Sequence, residues 1–495
     1  MKRIINFSKI FLLLVLALSL ATCKKNKFLN VNNNPNYPAT VTPALALPTC
    51  EANIAYMLGN QMTIMGGMWG QYWTQDPFNG IQYGNYDKYN NVPTDNDGMW
   101  TSMYAVGANL NYIINTDTGT RTYAGIAYLL KAYNFQLVCD AYGAAPLSQA
   151  LQGAANTAPV YDPEQQIYDS LVVWVNNGMS IINAVQTGTS PASDLIYPGL
   201  PMSQWQKFGN TLLLRIYIRE CLKNPGVAQA GIAKLLQSPG YISAGFMASK
   251  ADDAKTIYIS STYQQYPLYA TYVSLNSFRQ LIASATVINM MNGLNDPRIA
   301  DFFVPNTNSG AYQGLLQGDA ENIQGAADTA WSAIGAEEFS PTTSVFLLTG
   351  TESQFLQAEA EVRGYITGGA SGASASYTSG ITSSFSEWTT SSAASVSTYT
   401  AQSGVNFSNA TSSSAQLNLI LTQKWIAMCG NQNFEGWTEW RRTRIPTGFV
   451  PSATSVLAAG KFPQRFVYPS EELLNNTSFP GEALITSAIW WDINP

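Results

Sequence analysis

The chain contains no histidine. That excludes Ser-His-Asp and Cys-His nucleophile systems, histidine metal sites and histidine pH switching. Charge is scarce as well. Asp, Glu, Lys and Arg make up 11% of the 495 residues, against about 25% in ordinary globular domains. No basic patch stands out, so nucleic acid is not an expected partner. The five cysteines form no CxxC pair, so no zinc motif is present. There is no phosphate loop and no nucleophile elbow. The longest apolar run, residues 10–21, falls short of the ~20 residues that span a membrane.

That short run sits at the N-terminus behind Lys2, Arg3 and Lys9, the charge layout of a secretory signal. It ends in "LATC", and Leu-Ala-small-Cys resembles the bacterial lipobox, in which the cysteine is lipidated and becomes the first mature residue. Residues 1–22 are therefore expected to be a lipoprotein-type signal peptide and Cys23 the lipid attachment site. The alternative is a plain secretory signal with Cys23 a bystander. Several acyl chains on one cysteine would anchor a protein stably, since each buried CH₂ adds ~0.8 kcal/mol. Net charge is −6 from 25 basic and 31 acidic residues; losing three basic residues with the signal (25 − 3 = 22) gives 22 − 31 = −9.

In place of charge the chain carries Asn, Gln, Ser, Thr and Tyr. Residues 24–48 are rich in Asn and Pro and read as an extended tether that docks on the domain. Helical periodicity dominates after it, notably over residues 99–115, 122–143 and 163–182. The helices arrive partly in pairs, as in a solenoid, although no clean 34-residue consensus is present. Cys50, Cys139, Cys221 and Cys429 fall in apolar, helix-like stretches and are expected to be buried free thiols, with a disulfide as the alternative. Residues 367–414 are rich in Ser, Thr, Ala and Gly and look like a linker. Within them Tyr377, Ile381, Phe385 and Trp388 recur at a spacing near four, which predicts an amphipathic helix over 376–388 between floppy flanks.

Two long stretches concentrate aromatic residues. Residues 69–96 hold Trp69, Tyr72, Trp73, Phe78, Tyr83, Tyr86 and Tyr89; residues 258–276 hold Tyr258, Tyr263, Tyr266, Tyr269 and Tyr272. Long loops in a domain are usually functional. Exposed rings beside Asn and Gln suit sugars, because a ring covers the apolar face of a pyranose while amides bond its hydroxyls. Trp69, Tyr72, Trp73, Tyr83, Tyr263 and Tyr266 are the candidate ligand-binding residues. Core packing is the competing role for each ring. Paired carboxylates would be needed for a glycosidase. Glu359 and Glu361 lie two apart and face different ways. Glu435 and Glu439 share a helix face beside Arg441, Arg442 and Arg444, which predicts a salt-bridge network. Asp252 and Asp253 are adjacent, and Asp296 with Arg298 around Pro297 predicts a turn fixed by side-chain bonds. No catalytic residue, metal site or cofactor is expected.

Several stretches together resemble the SusD/RagB family of outer-membrane nutrient-binding lipoproteins, in its SusD-like branch. "FLNVNNNPNYP" is similar to the family's opening, with Asn30 where Asp is usual. "DAYGAAPLSQAL", "NDPRIADFF", "QAEAEVRG", "QKWIAMCGNQNFEGWTEWRRTRIP" and "FPQRFVYPSEELLNN" follow in the family's order. The resemblance implies a mostly α fold, a tetratricopeptide-like helical-pair scaffold with long irregular loops and few short strands. It implies a signal over 1–22, a lipid-anchored tether over 23–45 and one helical binding domain over 46–495. It further implies a surface-exposed, lipid-anchored outer-membrane protein, not an enzyme. Such a protein captures a glycan, or a peptide in the RagB-like case, for a SusC-type TonB-dependent transporter. The matched motifs are scaffold, so the resemblance assigns no binding residue.

Cells expressing the chain are expected to attach labelled palmitate to it, and Cys23→Ser to abolish the label and release the protein from the membrane fraction. An unlabelled parent chain would favour the plain secretory signal.

Overall fold

The computed structural model describes residues 41–78, 81–275, 279–336, 338–388 and 393–494. Cys23 and the signal segment lie outside them. Pro43–Pro495 forms one compact unit, and the account below concerns it.

The first helix, α1 (Pro43–Met57), opens with proline, whose fixed φ and missing N–H suit a first helical position. Residues 43–48, expected to belong to an extended tether, are helical for that reason. A π-helical turn (Leu58–Met62) joins α1 to α2 (Thr63–Trp69). Then come α3 (Asp97–Thr116), α4 (Thr122–Tyr142), α5 (Glu164–Ala184), α6 (Ser203–Glu220) and α7 (Pro225–Leu236). Consecutive members of this series pack on one another, α3 on α4, α4 on α5, α5 on α6 and α6 on α7. Helix α5 shows how: Ile167, Leu171, Val175, Met179 and Ile182 fall on one stripe and are buried, with polar residues opposite. Helix α4 lies between two neighbours and is buried from Ala124 to Tyr142 apart from the partly open Tyr128. The result is the mostly helical, paired-helix scaffold that the sequence implied.

The Ser/Thr/Gly-rich stretch is more ordered than expected. Helix α8 (Gly350–Val362) packs on α9 (Gly369–Glu387), which begins seven residues before the predicted helix. Tyr377, Ile381 and Phe385 of α9 form a second core with Phe355, Tyr399, Phe407 and Ile420. The anchors at every fourth position suffice to hold a helix whose other residues are small and polar. A short helix (Ala393–Thr400) lies in the flank expected to be floppy. Helices α10 (Ser413–Ala427) and α11 (Asn433–Thr443) complete the labelled set. Strands are short. The largest sheet is antiparallel and runs in the order Trp73–Gln75, Leu281–Ala283, Ala333–Ile334, Phe303–Val304.

The two aromatic stretches are less irregular than expected. The first contains the edge strand of that sheet and a helical turn (Gly84–Asp87); the second contains a helix (Pro267–Leu275). Cys50, Cys139, Cys221 and Cys429 are buried and free. Asp296 and Arg298 bond each other as predicted, Arg298 Nε to Asp296 Oδ1 at 3.0 Å and Nη2 to Oδ2 at 2.6 Å.

Much of the scarce charge is inside. Arg219 on α6 bonds both Glu435 and Glu439 of α11. Lys424 on α10 reaches Glu439 at 2.9 Å, and Arg442 reaches Glu439 at 2.7 Å and Glu359 of α8 at 2.7 Å. The predicted network around Glu435 and Glu439 is therefore present, but Arg441 and Arg444 lie outside it. Arg441 stacks on Trp437 with its guanidinium 3.6 Å from the ring centre and donates to the carbonyls of Gln464 and Asp140. Arg444 pairs with Asp492 at 2.8 Å. Burial raises the Glu439 carboxyl, but Arg442, Lys424 and Arg219 outweigh it and hold it well below the usual carboxylate range. Glu439→Gln would leave buried cations short of a counter-charge, so we expect a loss of about 3 kcal/mol in urea unfolding at pH 7. A loss under 1 kcal/mol would contradict the central role given to this carboxylate.

Candidate functional site

Five of the six candidate rings are buried, which corrects the expectation that they face solvent. Trp69 donates its indole N–H to the Tyr86 carbonyl (3.0 Å) and packs edge-on against Trp437 (5.1 Å) and Phe466 (5.4 Å). Tyr72 stacks on Trp425 at 4.7 Å and donates its hydroxyl to that residue's carbonyl at 2.7 Å. Trp73 has no exposed surface and lies over Gly67, where a Cβ would come within 2.5 Å of the indole. The adjacent Gly66 lets the α2 backbone touch the α11 backbone at Phe434, which accounts for the paired glycines of "MGGMW". Tyr83 stacks on Tyr86 at 6.0 Å, and Tyr266 packs edge-on against Tyr258. The physical reason is shared: each flat ring finds a larger apolar partner in the C-terminal aromatic block or a neighbouring loop than in water.

Tyr263 is the exception. It is 99% exposed, at φ +68°, at the tip of a turn closed by the Ile259 N–H to Gln264 carbonyl bond (2.9 Å). Phe78, from the first stretch, is 46% exposed.

A cleft of about 320 Å³ opens beside the second stretch, lined by Tyr269, Tyr272, Val273, Arg279, Leu281 and Phe339. The helix Pro267–Leu275 forms one wall and the strands Leu281–Ala283 and Ala333–Ile334 the other. Phe339 sits between the two tyrosines, 5.5 Å from Tyr269 and 4.9 Å from Tyr272. Tyr269 and Phe339 are half-buried and Val273 is exposed, so apolar faces remain open. Arg279 Nε donates to Asp76 Oδ2 at 2.5 Å, and Asp76 Oδ1 takes the Phe78 N–H at 3.0 Å. This fixes a guanidinium at one end of an otherwise neutral site. Burial pushes the Tyr272 phenol well up, and its hydroxyl is covered, so the residue offers the cleft ring surface rather than a polar group. Mostly apolar walls with a few placed polar groups are the general form of a small-ligand site. Among the described residues that line the cleft, none pairs an acid with a base or activates a nucleophile.

The sequence named Tyr269 and Tyr272 among its aromatics but preferred Tyr263 and Tyr266. Pro267 was the missed signal. As a helix start it puts Tyr269 and Tyr272 three apart on one helix side and leaves Tyr266 before the helix. Phe339, Arg279 and Val273 carried no local signal, because only the tertiary fold brings residues 269–281 to residue 339.

Within the first stretch, buried Asp87 accepts from Thr74 and from Gln317 Nε2 (2.8 Å). Burial raises its carboxyl to about 7 despite these bonds. A folded pKa above the unfolded value means a proton taken up on folding, so stability falls as pH rises from the ordinary carboxylate range through about 7. The melting temperature is expected to fall between pH 5.5 and pH 8.5, and Asp87→Asn to make that fall smaller. An unchanged pH slope in Asp87→Asn would show that the carboxyl is ionised throughout.

A family model described as SusD-like, starch-binding and associating with the outer membrane matches residues 35–469. Solved structures share the fold. A SusD homologue from Bacteroides uniformis is 22% identical, aligns over 90% of this chain and 99% of its own, and superposes with a TM-score of 0.74. A SusD-like protein from Bacteroides thetaiotaomicron is 24% identical over 90% and 99% of the two chains, with a TM-score of 0.73. A chitin-binding SusD homologue from Flavobacterium johnsoniae gives 22%, 90%, 99% and 0.73 for the same quantities. No curated protein sequence matches significantly.

Proposed function

Since this chain belongs to the SusD-like family of starch-binding proteins associated with the outer membrane, we propose that it binds a carbohydrate nutrient at the cell surface and passes it to a SusC-type TonB-dependent transporter. The observation that carries the reading is the aromatic cleft of Tyr269, Tyr272 and Phe339. Its ring faces would cover the apolar face of a sugar, with Arg279 placed to bond its edge. Starch is named for the family and chitin for one structural relative, so an oligo- or polysaccharide is the ligand class. Attachment through Cys23 would hold the domain at the outer membrane. Among the described residues no helix is long and apolar enough to cross a membrane.

A peptide is the second reading. Residues 256–278 carry no charged side chain, and an uncharged, tyrosine-rich surface also accepts extended peptides. A surface glycoside hydrolase gains nothing from Glu435 and Glu439, whose carboxylates are engaged by Arg219, Lys424 and Arg442. Family members are binding proteins, and this chain is read as one.

The test is titration of the purified protein with a panel of neutral glycans, followed by tryptophan fluorescence and calorimetry. At least one glycan is expected to bind, and Phe339→Ala and Tyr269→Ala each to weaken it about ten-fold, the loss of one stacked ring. Silence to every glycan alongside binding of peptides would replace the first reading with the second.

A further inference from the structure

A second cleft, of about 430 Å³, lies across the 336–346 segment from the aromatic one. Phe339 faces the first cleft, whereas Ser340, Thr342 and Phe346 line the second with Lys250, Lys255, Glu387, Trp388 and Asn431. Four separate stretches of chain converge on it. Its chemistry differs from that of its neighbour. Hydroxyls, an amide and two ammonium groups replace most of the apolar wall.

The two lysines are held in place. Lys250 Nζ donates to the Ser386 carbonyl at 3.0 Å and the Glu387 carbonyl at 3.4 Å, at the C-terminal end of α9, where the helix dipole favours a cation. Lys255 Nζ lies 5.0 Å above the Phe346 ring and 3.7 Å from Asp253 Oδ2. Behind them sits a carboxyl pair. Asp253 takes the Gly350 N–H at 2.9 Å, and burial, then the neighbouring Glu387, raises it to about 8. Burial raises Glu387 also. Of the described residues that line the cleft, two, Lys250 and Lys255, are cationic and one, Glu387, is acidic. Glu338 lies beneath Gly430, 1% exposed, and engages the Cys429 thiol rather than the cleft.

Two buried polar atoms of lining residues, Trp388 Nε1 and Asn431 Oδ1, have no hydrogen-bond partner among the described residues. Buried polar groups in folded proteins are nearly always satisfied, so an unpaired donor and an unpaired acceptor converging on one cleft mark a place for a polar ligand. In a chain with net charge −6 and only 11% charged residues, two cations on one cleft are a local concentration of the rarer sign.

We propose that this cleft is a second sugar subsite, selective for a unit bearing an anionic substituent, a carboxylate or a sulfate, which the ammonium groups of Lys250 and Lys255 receive while Trp388 and Asn431 bond its hydroxyls. The inference rests on the carbohydrate-binding reading and narrows its substrate class.

The experiment is calorimetric titration with an oligogalacturonate, a sulfated galactan oligosaccharide and its neutral counterpart, at low and high salt. At least one anionic ligand is expected to bind about ten-fold tighter than the neutral one, the value of a charge-assisted hydrogen bond, and to weaken in high salt. Lys250→Gln with Lys255→Gln, and each alone, should remove that preference while leaving neutral binding as it was. Trp388→Phe, which keeps the ring packed on Phe302, should weaken the anionic ligand and spare the neutral one. Equal affinity for anionic and neutral ligands, or an anionic preference that survives the double substitution, would overturn the proposal. Neutral binding that falls with Phe339→Ala while no anionic ligand binds would refute this subsite alone; silence to every sugar would refute the carbohydrate reading as well.

Discussion

The buried ion network centred on Glu439 is the constraint on which the rest of the domain depends. Arg219, Lys424 and Arg442 converge on one carboxylate, and Arg442 carries the linkage on to Glu359. Four helices, α6, α8, α10 and α11, are tied at that point. Buried charges are expensive unless fully paired, and pairing them demands one geometry. Hydrophobic contacts tolerate sliding, whereas a guanidinium bonded to two carboxylates does not. The network fixes how the C-terminal helices meet the α3 to α7 series, and with it the position of the surface that carries the two clefts.

Around that point the aromatic residues supply the bulk of the packing. Trp69 and Tyr72 lean on Trp425, Trp437 and Phe466, so an early part of the domain is interleaved with a late one. A composition rich in rings and poor in charge first suggested a sticky surface. It describes the interior at least as well. Rings left open include Tyr263 and Phe78 on loops, Tyr56 and Tyr112 on the outer faces of α1 and α3, and Tyr269 and Phe339 at the cleft.

Legibility followed the range of the interactions. Helix α5 was predicted to within two residues at each end, because its stripe and its proline start are local. The helix at 376–388 was visible in four apolar anchors even inside a serine-rich stretch, though not its earlier start at Gly369. The pairing of Glu439 was half legible: its neighbour Arg442 is three residues away, but Arg219 and Lys424 come from other helices. The binding rings were least legible. Burial of Tyr72 is decided by Trp425, 353 positions away, and the openness of Tyr269 is decided by Phe339. Order along the chain does not encode which of two similar tyrosines the fold will cover.

That interleaving bears on how the chain acquires its structure. Helix α2 and Tyr72 after it cannot complete their core until the segment from Trp425 to Phe466 has been made, because the surfaces they bury belong to it. Contacts so distant along the chain close late, after the entropy of a loop several hundred residues long has been overcome. A chain threading through a translocase from its N-terminus would thus present an unfinished, extendable segment for most of its passage. The arrangement delays commitment to the native state until the C-terminal aromatic segment has joined the rest of the domain, and keeps the polypeptide until then in a form that a narrow channel could carry.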